Sequence, residues 1–176
     1  MKLIIIDRDG VINYDSDEYI KSEAEWNPIP GSLEAIGKLT HEGYHIVVVS
    51  NQSGLARGKF TLDNLNHIHQ KMHSHISQFG GKIEAIFFCP HGPDDNCKCR
   101  KPKPGLFEEI SKRLHISLNG VTVVGDKLSD IEAALAVNAN PVLVKTGYGQ
   151  KYIDSGEVPA NIPVYDDLAA AVNALL

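Results

Sequence analysis

Positive charge is in short supply. Seventeen lysines and arginines face 22 aspartates and glutamates, a net charge of −5 over 176 residues. A protein that grips nucleic acid non-specifically needs a basic surface, so that class is not expected, although a local basic pocket is allowed. Long apolar runs are also missing: none approaches the ~18–20 residues that span a bilayer, and no membrane partner is expected. The brief run from Met1 to Ile6 is ended by Asp7 with no cleavage site behind it, which reads as a buried strand rather than a secretion signal. Cysteine is scarce. The three present, Cys89, Cys97 and Cys99, crowd one segment. An odd number in one loop makes a poor disulfide framework but a good metal site in a reducing compartment, so a cytoplasmic location is expected. There is no repeat, low-complexity tract, interdomain linker or long heptad pattern. The expectation is one domain over residues 1–176 and a monomer.

What is present is an alternation of short apolar runs and helical periodicities. Residues 3–6 form a continuous apolar run, as in a strand covered on both faces. Leu33, Ile36 and Leu39 recur at helical spacing and Gly43 closes that helix. Residues 44–50 read as a second strand. Leu62, Leu65, Ile68, Met72, Ile76 and Phe79 form one face of a long helix stopped by Gly80-Gly81. Strands at 83–88, 121–124, 141–144 and 162–165 alternate with helices near Phe107–Leu114, Asp130–Val137 and Leu168–Leu176, and 147–159 reads as a surface loop. Such alternation predicts an α/β protein: a doubly wound, Rossmann-like, three-layer sandwich around a central parallel sheet.

In such sheets ligands bind beyond the carboxyl ends of the strands. The polar residues gather there: Asp7 and Asp9 after the first strand, Ser50-Asn51-Gln52 after the second, Cys89 and His91 after the third, Gly125-Asp126-Lys127 after the fourth. Asp7 and Asp9 are two apart, so in extended chain their side chains leave in the same direction, and Gly10 permits a tight exit. With Asp126 they can hold Mg²⁺, a hard ion that prefers oxygen. Lys101 and Lys127 can offset the remaining charge and bind phosphate oxygens. Ser50 with the following backbone amides makes a phosphate cradle.

These residues resemble the haloacid dehalogenase (HAD) superfamily of phosphohydrolases. Asp7-Arg8-Asp9-Gly10-Val11 looks like its first motif, Ser50-Asn51 its second, the lysine of Arg100-Lys101-Pro102 its third, and Gly125-Asp126-Lys127-Leu128-Ser129-Asp130 its fourth. The resemblance implies that Asp7 is the nucleophile and a Mg²⁺ ligand. It implies that Asp9 is the general acid/base and binds the metal through its backbone carbonyl. Ser50 and Lys101 would stabilise the transferring phosphoryl group, Asp126 would complete the metal site, and Asp130 would support its loop.

The spacing Cys89-x-His91-x5-Cys97-x-Cys99 offers three thiolates and one imidazole, the closed composition of structural zinc. It runs directly into Arg100 and Lys101, so a zinc loop at 89–99 would position both. Together with residues 51–58, this loop resembles the D-glycero-D-manno-heptose-1,7-bisphosphate 7-phosphatases, close to the histidinol-phosphatase branch. That likeness implies no large cap domain, a phosphorylated sugar as substrate and a place in the supply of heptose for lipopolysaccharide. It also implies substrate contacts from Asp15, Tyr19, Asn51, Gln52, Ser53, Arg100 and Lys127. A second anionic group on the substrate would suit Arg100, Arg57 and Lys127. The acidic stretch Asp15-Ser16-Asp17-Glu18-Tyr19 departs from what a phosphate-contacting loop should carry. Rival readings are a histidinol-phosphate phosphatase, a DNA 3′-phosphatase disfavoured by the acidic charge, a receiver-type signalling module and an inactive binding module. His67, His69, His73 and His75 crowd one helix and read as a solvated or partly buried face rather than a metal site. Trp26 reads as packing of the 9–31 segment onto the core.

Overall fold

The computed structural model describes residues 1–176. Six strands form one sheet: β1 (Lys2–Ile6), β2 (Tyr44–Asn51), β3 (Ala85–Cys89), β4 (Thr122–Gly125), β5 (Asn140–Val144) and β6 (Val164–Tyr165). Every pairing is parallel and the order is β3-β2-β1-β4-β5-β6. The helices are α1 (Ser32–His41), α2 (Leu62–Gln78), α3 (Gly105–Leu114), α4 (Leu128–Ala136), α5 (Gly149–Asp154) and α6 (Leu168–Leu175).

The two-residue repeat of a strand explains the three layers. Ile4, Ile6, Ile46 and Val48 face one way and pack with α1, α2 and α6. Leu3, Ile5, Val47 and Val49 face the other way and pack with α3 and α4. Central strands therefore carry no polar alternation, because both faces are covered. Burying one such side chain is worth about 1.5–3 kcal/mol. Trp26 lies in the first core, fully buried, and ties the 9–31 segment to α2, where His75 meets it edge-on with ring centroids 5.6 Å apart. That segment forms only a 3-10 turn at Glu23–Glu25 and isolated bridges of Asn13 to Asp9 and Pro28. No large cap is present.

Local chemistry sets the element ends. The Thr61 hydroxyl accepts from the Asn64 amide N–H and the Asn64 side chain accepts from the Thr61 N–H, a reciprocal cap on α2. Three expectations are corrected. The surface loop expected over 147–159 contains α5, whose six residues are too few to show a periodicity. Leu62 and Phe79, expected on the buried face of α2, are 53% and 43% exposed, because they sit at its first position and just past its last. The third strand begins at Ala85 rather than residue 83: Ile83 is buried but stands outside the ladder.

Candidate active site

β1 lies at the point where the strand order reverses, with β2 on one side and β4 on the other. Asp7 follows β1 and its N–H still bonds to the Val124 carbonyl of β4 at 3.0 Å, so the first residue past the strand is held as firmly as the strand itself. Its Oδ1 accepts from the Arg8 N–H at 2.8 Å and lies 3.3 Å from Lys101 Nζ. Lys101 also donates to Val49 O at 2.9 Å and to Asp130 at 2.5 Å. Asp130 turns its other oxygen to the N–H groups of Asp126 and Lys127, both at 3.2 Å, and so caps the start of α4. Asp7, Asp126 and Asp130 present carboxylate oxygens within 4.8 Å of one another.

These groups are almost wholly buried. Burial first, then the charge of Asp130, push the Asp7 carboxyl up to about 6 against the pull of Lys101 and Lys127. Asp126 is pushed well above the usual carboxylate range by burial and by Asp7. Asp126 Oδ2 accepts from the Tyr148 N–H at 3.0 Å, whereas its Oδ1 is buried with no hydrogen-bond partner. Gly10 and Gly147, both at positive φ, make room beside it: a Cβ on either would fall 2.2 or 2.1 Å from Asp126 Oδ2. The three acidic side chains crowd one point, with the ammonium groups of Lys101 and Lys127 nearby. An unpaired buried acceptor among clustered carboxylate oxygens fits a hard divalent cation.

The Asp9 side chain departs from the same-side reading, which set it beside that of Asp7. Its carboxylate is outside that cluster. Oδ1 accepts from Arg8 Nε at 2.8 Å and Asn13 Nδ2 at 3.0 Å, and Oδ2 from Gln52 Nε2 at 3.1 Å. The chain leaves the extended conformation after Ile6, so the same-side rule of a strand no longer holds. Burial alone would raise the Asp9 carboxyl, but the Arg8 charge and these hydrogen bonds outweigh it and hold it below its usual range. Gln52 Nε2 also donates to Ser50 Oγ at 2.7 Å.

A cavity of about 560 Å³ opens beside this centre. Asp9, Asp15, Tyr19, Asn51, Gln52, Ser53, Arg100, Lys101 and Lys127 line it. Asp7, Ser50 and Asp126 do not line it. Lys101, which does, touches Asp7, and Gln52, which does, touches Ser50. Arg57 is exposed and is not brought to the cavity. The side-chain amide of Asn51 is engaged at both ends by the Lys101 backbone, at 3.0 and 3.1 Å, so it clamps the lysine. The acidity of the 15–19 stretch has partners: Asp15 lies 3.6 Å from Lys127 Nζ, and Asp17 accepts a short hydrogen bond from the Tyr148 hydroxyl. That bond, then burial, push the Tyr148 phenol up to about 12. The carboxylates around Lys127, Asp7 first, raise its affinity for a proton although burial opposes them.

Sequence reasoning missed Tyr148, Tyr152 and Arg8. The two tyrosines line the cavity at and within α5, the helix read as loop. Arg8, between Asp7 and Asp9, is fully buried, and no composition signal marks a buried arginine. His69, set aside with the other histidines of α2, is also buried, and its Nε2 lies 3.1 Å from Arg8 Nη1.

The second cluster forms where expected. Cys89 ends β3, and its Sγ lies 3.6 Å from Cys97 Sγ and 3.5 Å from His91 Nδ1. His91 Nδ1 lies 3.3 Å from Cys99 Sγ. No disulfide joins the three cysteines, and the four donors stand within 4.8 Å of one another, a set that fits one tetrahedral soft-ligand ion.

The HAD-hydrolase-like family model matches residues 98–171. Over all 176 residues the chain is 52% identical to the D-glycero-beta-D-manno-heptose-1,7-bisphosphate 7-phosphatase of Bordetella bronchiseptica, covering 98% of that protein. It is 51% identical to the enzyme of the same name from Pseudomonas putida, with both chains covered completely. Among solved structures, the D,D-heptose 1,7-bisphosphate phosphatase of B. bronchiseptica complexed with magnesium and phosphate superposes with a TM-score of 0.97 at 51% identity. The match covers 99% of this chain and 98% of that one. The Burkholderia thailandensis phosphatase of that name gives 0.79 at 40% identity, over 99% of this chain and 98% of that one. With its carboxylate cluster, its lysine and its full-length likeness to these enzymes, the chain belongs to the D-glycero-beta-D-manno-heptose-1,7-bisphosphate 7-phosphatase family of the HAD superfamily.

Proposed function

We propose that this chain removes the 7-phosphate of D-glycero-D-manno-heptose 1,7-bisphosphate through a phosphorylated Asp7, as a step in supplying heptose for lipopolysaccharide precursors. The observation that carries the reading is Asp7 itself: a buried carboxylate held 3.3 Å from a buried lysine, beside the unpartnered Asp126 Oδ1 and next to the cavity. Asp7 attacks phosphorus as the bond to the sugar oxygen breaks, and Asp9 gives that oxygen a proton. Asp9 then takes a proton from the water that attacks the phosphoaspartate, releasing phosphate and restoring Asp7. A phosphate dianion arriving beside Asp9 raises its proton affinity from the depressed value of the free fold. Lys101 and Ser50 hold the equatorial oxygens.

Asp7, Asp126 and the Asp9 backbone carbonyl would hold Mg²⁺, which when bound neutralises charge on the transferring group. Asp130 orients Lys101 and the Asp126 loop. Arg100 and Lys127, on the cavity wall, suit the phosphate that remains on the sugar, and the carboxylates of Asp15 and Asp17 suit its hydroxyls. Cys89, His91, Cys97 and Cys99 would hold a structural zinc ion that fixes the approach to Arg100 and Lys101. The protein acts as a monomer on a small molecule, and no helix is long and apolar enough to cross a membrane.

A phosphate-release panel with Mg²⁺ tests this. It compares heptose and hexose bisphosphates, histidinol phosphate and a 3′-phosphorylated oligonucleotide. The heptose bisphosphate should give the highest kcat/KM, and a preference for any of the others would overturn the substrate assignment.

A further inference from the structure

Arg8 and His69 are buried beside the centre and have no part in the reaction as drawn. We infer that they form a positioning device. His69, on α2, holds the Arg8 guanidinium, and Arg8 fixes the Asp9 carboxylate so that one chosen oxygen faces the reaction. The inference rests on the assignment of Asp9 as the acid/base.

Arg8 is 0% exposed. A guanidinium with no access to water is costly unless an opposite charge and hydrogen-bond acceptors hold it. Nε donates to Asp9 Oδ1 at 2.8 Å, and Nη2 lies 2.8 Å from the same oxygen as an ionic contact without hydrogen-bond geometry. The third, Nη1, lies 3.1 Å from Nε2 of His69. A guanidinium has no lone pair to offer, so Nε2 must be the acceptor and the imidazole is the neutral tautomer with its proton on Nδ1. Burial and the Arg8 charge keep it neutral down to about 3, in agreement with that geometry. His69 belongs to the rigid face of α2, between buried Leu65, Ile68 and Met72. The arginine is thus anchored to the core of the protein rather than to a loop.

The effect on Asp9 is asymmetric. Oδ1 is occupied by Arg8 and by Asn13 Nδ2. Oδ2 receives only Gln52 Nε2, which also reaches Ser50 Oγ. A proton settles on the oxygen with fewer donors aimed at it. Oδ2, on the side of Ser50, is therefore the atom that carries the proton to the leaving oxygen and takes it back from water. Without His69, Arg8 loses its outer anchor and Asp9 its fixed rotation.

The experiment uses leaving groups of different demand. The alkoxide of a sugar needs a proton to depart, and the nitrophenolate of p-nitrophenyl phosphate does not. kcat/KM reports steps only through formation of the phosphoaspartate, so later hydrolysis cannot mask the difference. The Mg²⁺-loaded protein is assayed on the heptose bisphosphate and on p-nitrophenyl phosphate. Asp9→Asn sets the scale, with a loss of about 10²–10⁴-fold on the sugar substrate and far less on the aryl one. His69→Leu removes the acceptor and should show the same selective pattern at about 10–100-fold. His69→Asn, whose side chain is too short to reach Arg8, should behave like His69→Leu and replaces it if leucine impairs folding. His69→Gln, which restores an acceptor, should recover most of the activity. Equal losses on both substrates, or no loss, from His69→Leu and His69→Asn while Asp9→Asn stays selective would overturn the positioning role and leave Asp9 as the acid. A non-selective Asp9→Asn would remove the acid assignment, and the inference with it.

Discussion

The charge on Asp7 is one the metal-free fold bears at a cost. Its carboxyl titrates near 6 rather than 3.8, mainly because it is buried and because Asp130 is close. The folded state therefore binds the proton more tightly than the unfolded chain. Stability from the protonated form is complete below 3.8 and is lost as pH rises through about 6. Asp7→Asn keeps the acceptor for the Arg8 N–H and removes the charge. It should abolish phosphate release and, at pH 7 in EDTA, raise the midpoint of thermal unfolding by roughly 2–4 °C per ~1 kcal/mol recovered. The gain should vanish below about pH 4. Calorimetry across pH checks it, and an unchanged or lower midpoint at pH 7 would contradict the strain. Asp7 and Asp126 were legible because a carboxylate directly after an apolar strand has few structural reasons to be there, Ser50 because it closes an apolar run, and Lys101 because it follows the Cys/His cluster and matches the family's third motif. Arg8 and His69 were not. An arginine reads as exposed until a buried acceptor is seen, and nothing in the sequence sets His69 apart from the three other histidines of α2.

The loop between β3 and α3 joins two kinds of chemistry. Cys89, itself buried, closes the edge strand β3, the other three donors lie on chain that has no regular structure, and Arg100 and Lys101 follow directly. Few apolar contacts hold such a loop, so an ion bound by four ligands would supply most of its order. Zinc analysis should find about one ion per chain. Removing it with a strong chelator and then restoring saturating Mg²⁺ should lower the unfolding midpoint and kcat/KM together. Full activity and an unshifted midpoint in a zinc-free, Mg²⁺-loaded sample would refute the positioning role. The spacing of these four residues was readable because metal ligands announce themselves by type. α5 was not, since a helix of six residues beginning with glycine has no face to display.

At the scale of the whole molecule, one sheet serves two cores. Alternate residues of β1 and β2 enter opposite layers, so neither layer can loosen without exposing strands that the other also needs. Ile36→Ala on one side and Phe107→Ala on the other should each cost about 2–5 kcal/mol. Each should move a single calorimetric transition whose van't Hoff and calorimetric enthalpies agree. Two separable transitions would show that the layers unfold apart. The apolar runs announced a buried parallel sheet, but not the order of its strands. That β1 lies beside β4, and so brings Asp7 to Asp126 across more than a hundred residues, depends on packing that no local pattern encodes. The glycines at 10 and 147 bear on any attempt to retarget the enzyme. With no space for even a methyl group next to Asp126, that side of the carboxylate cluster is closed to diversification. A library aimed at new sugars should leave both positions fixed and vary the cavity wall at Ser16, Asp17, Tyr19, Tyr148 and Tyr152.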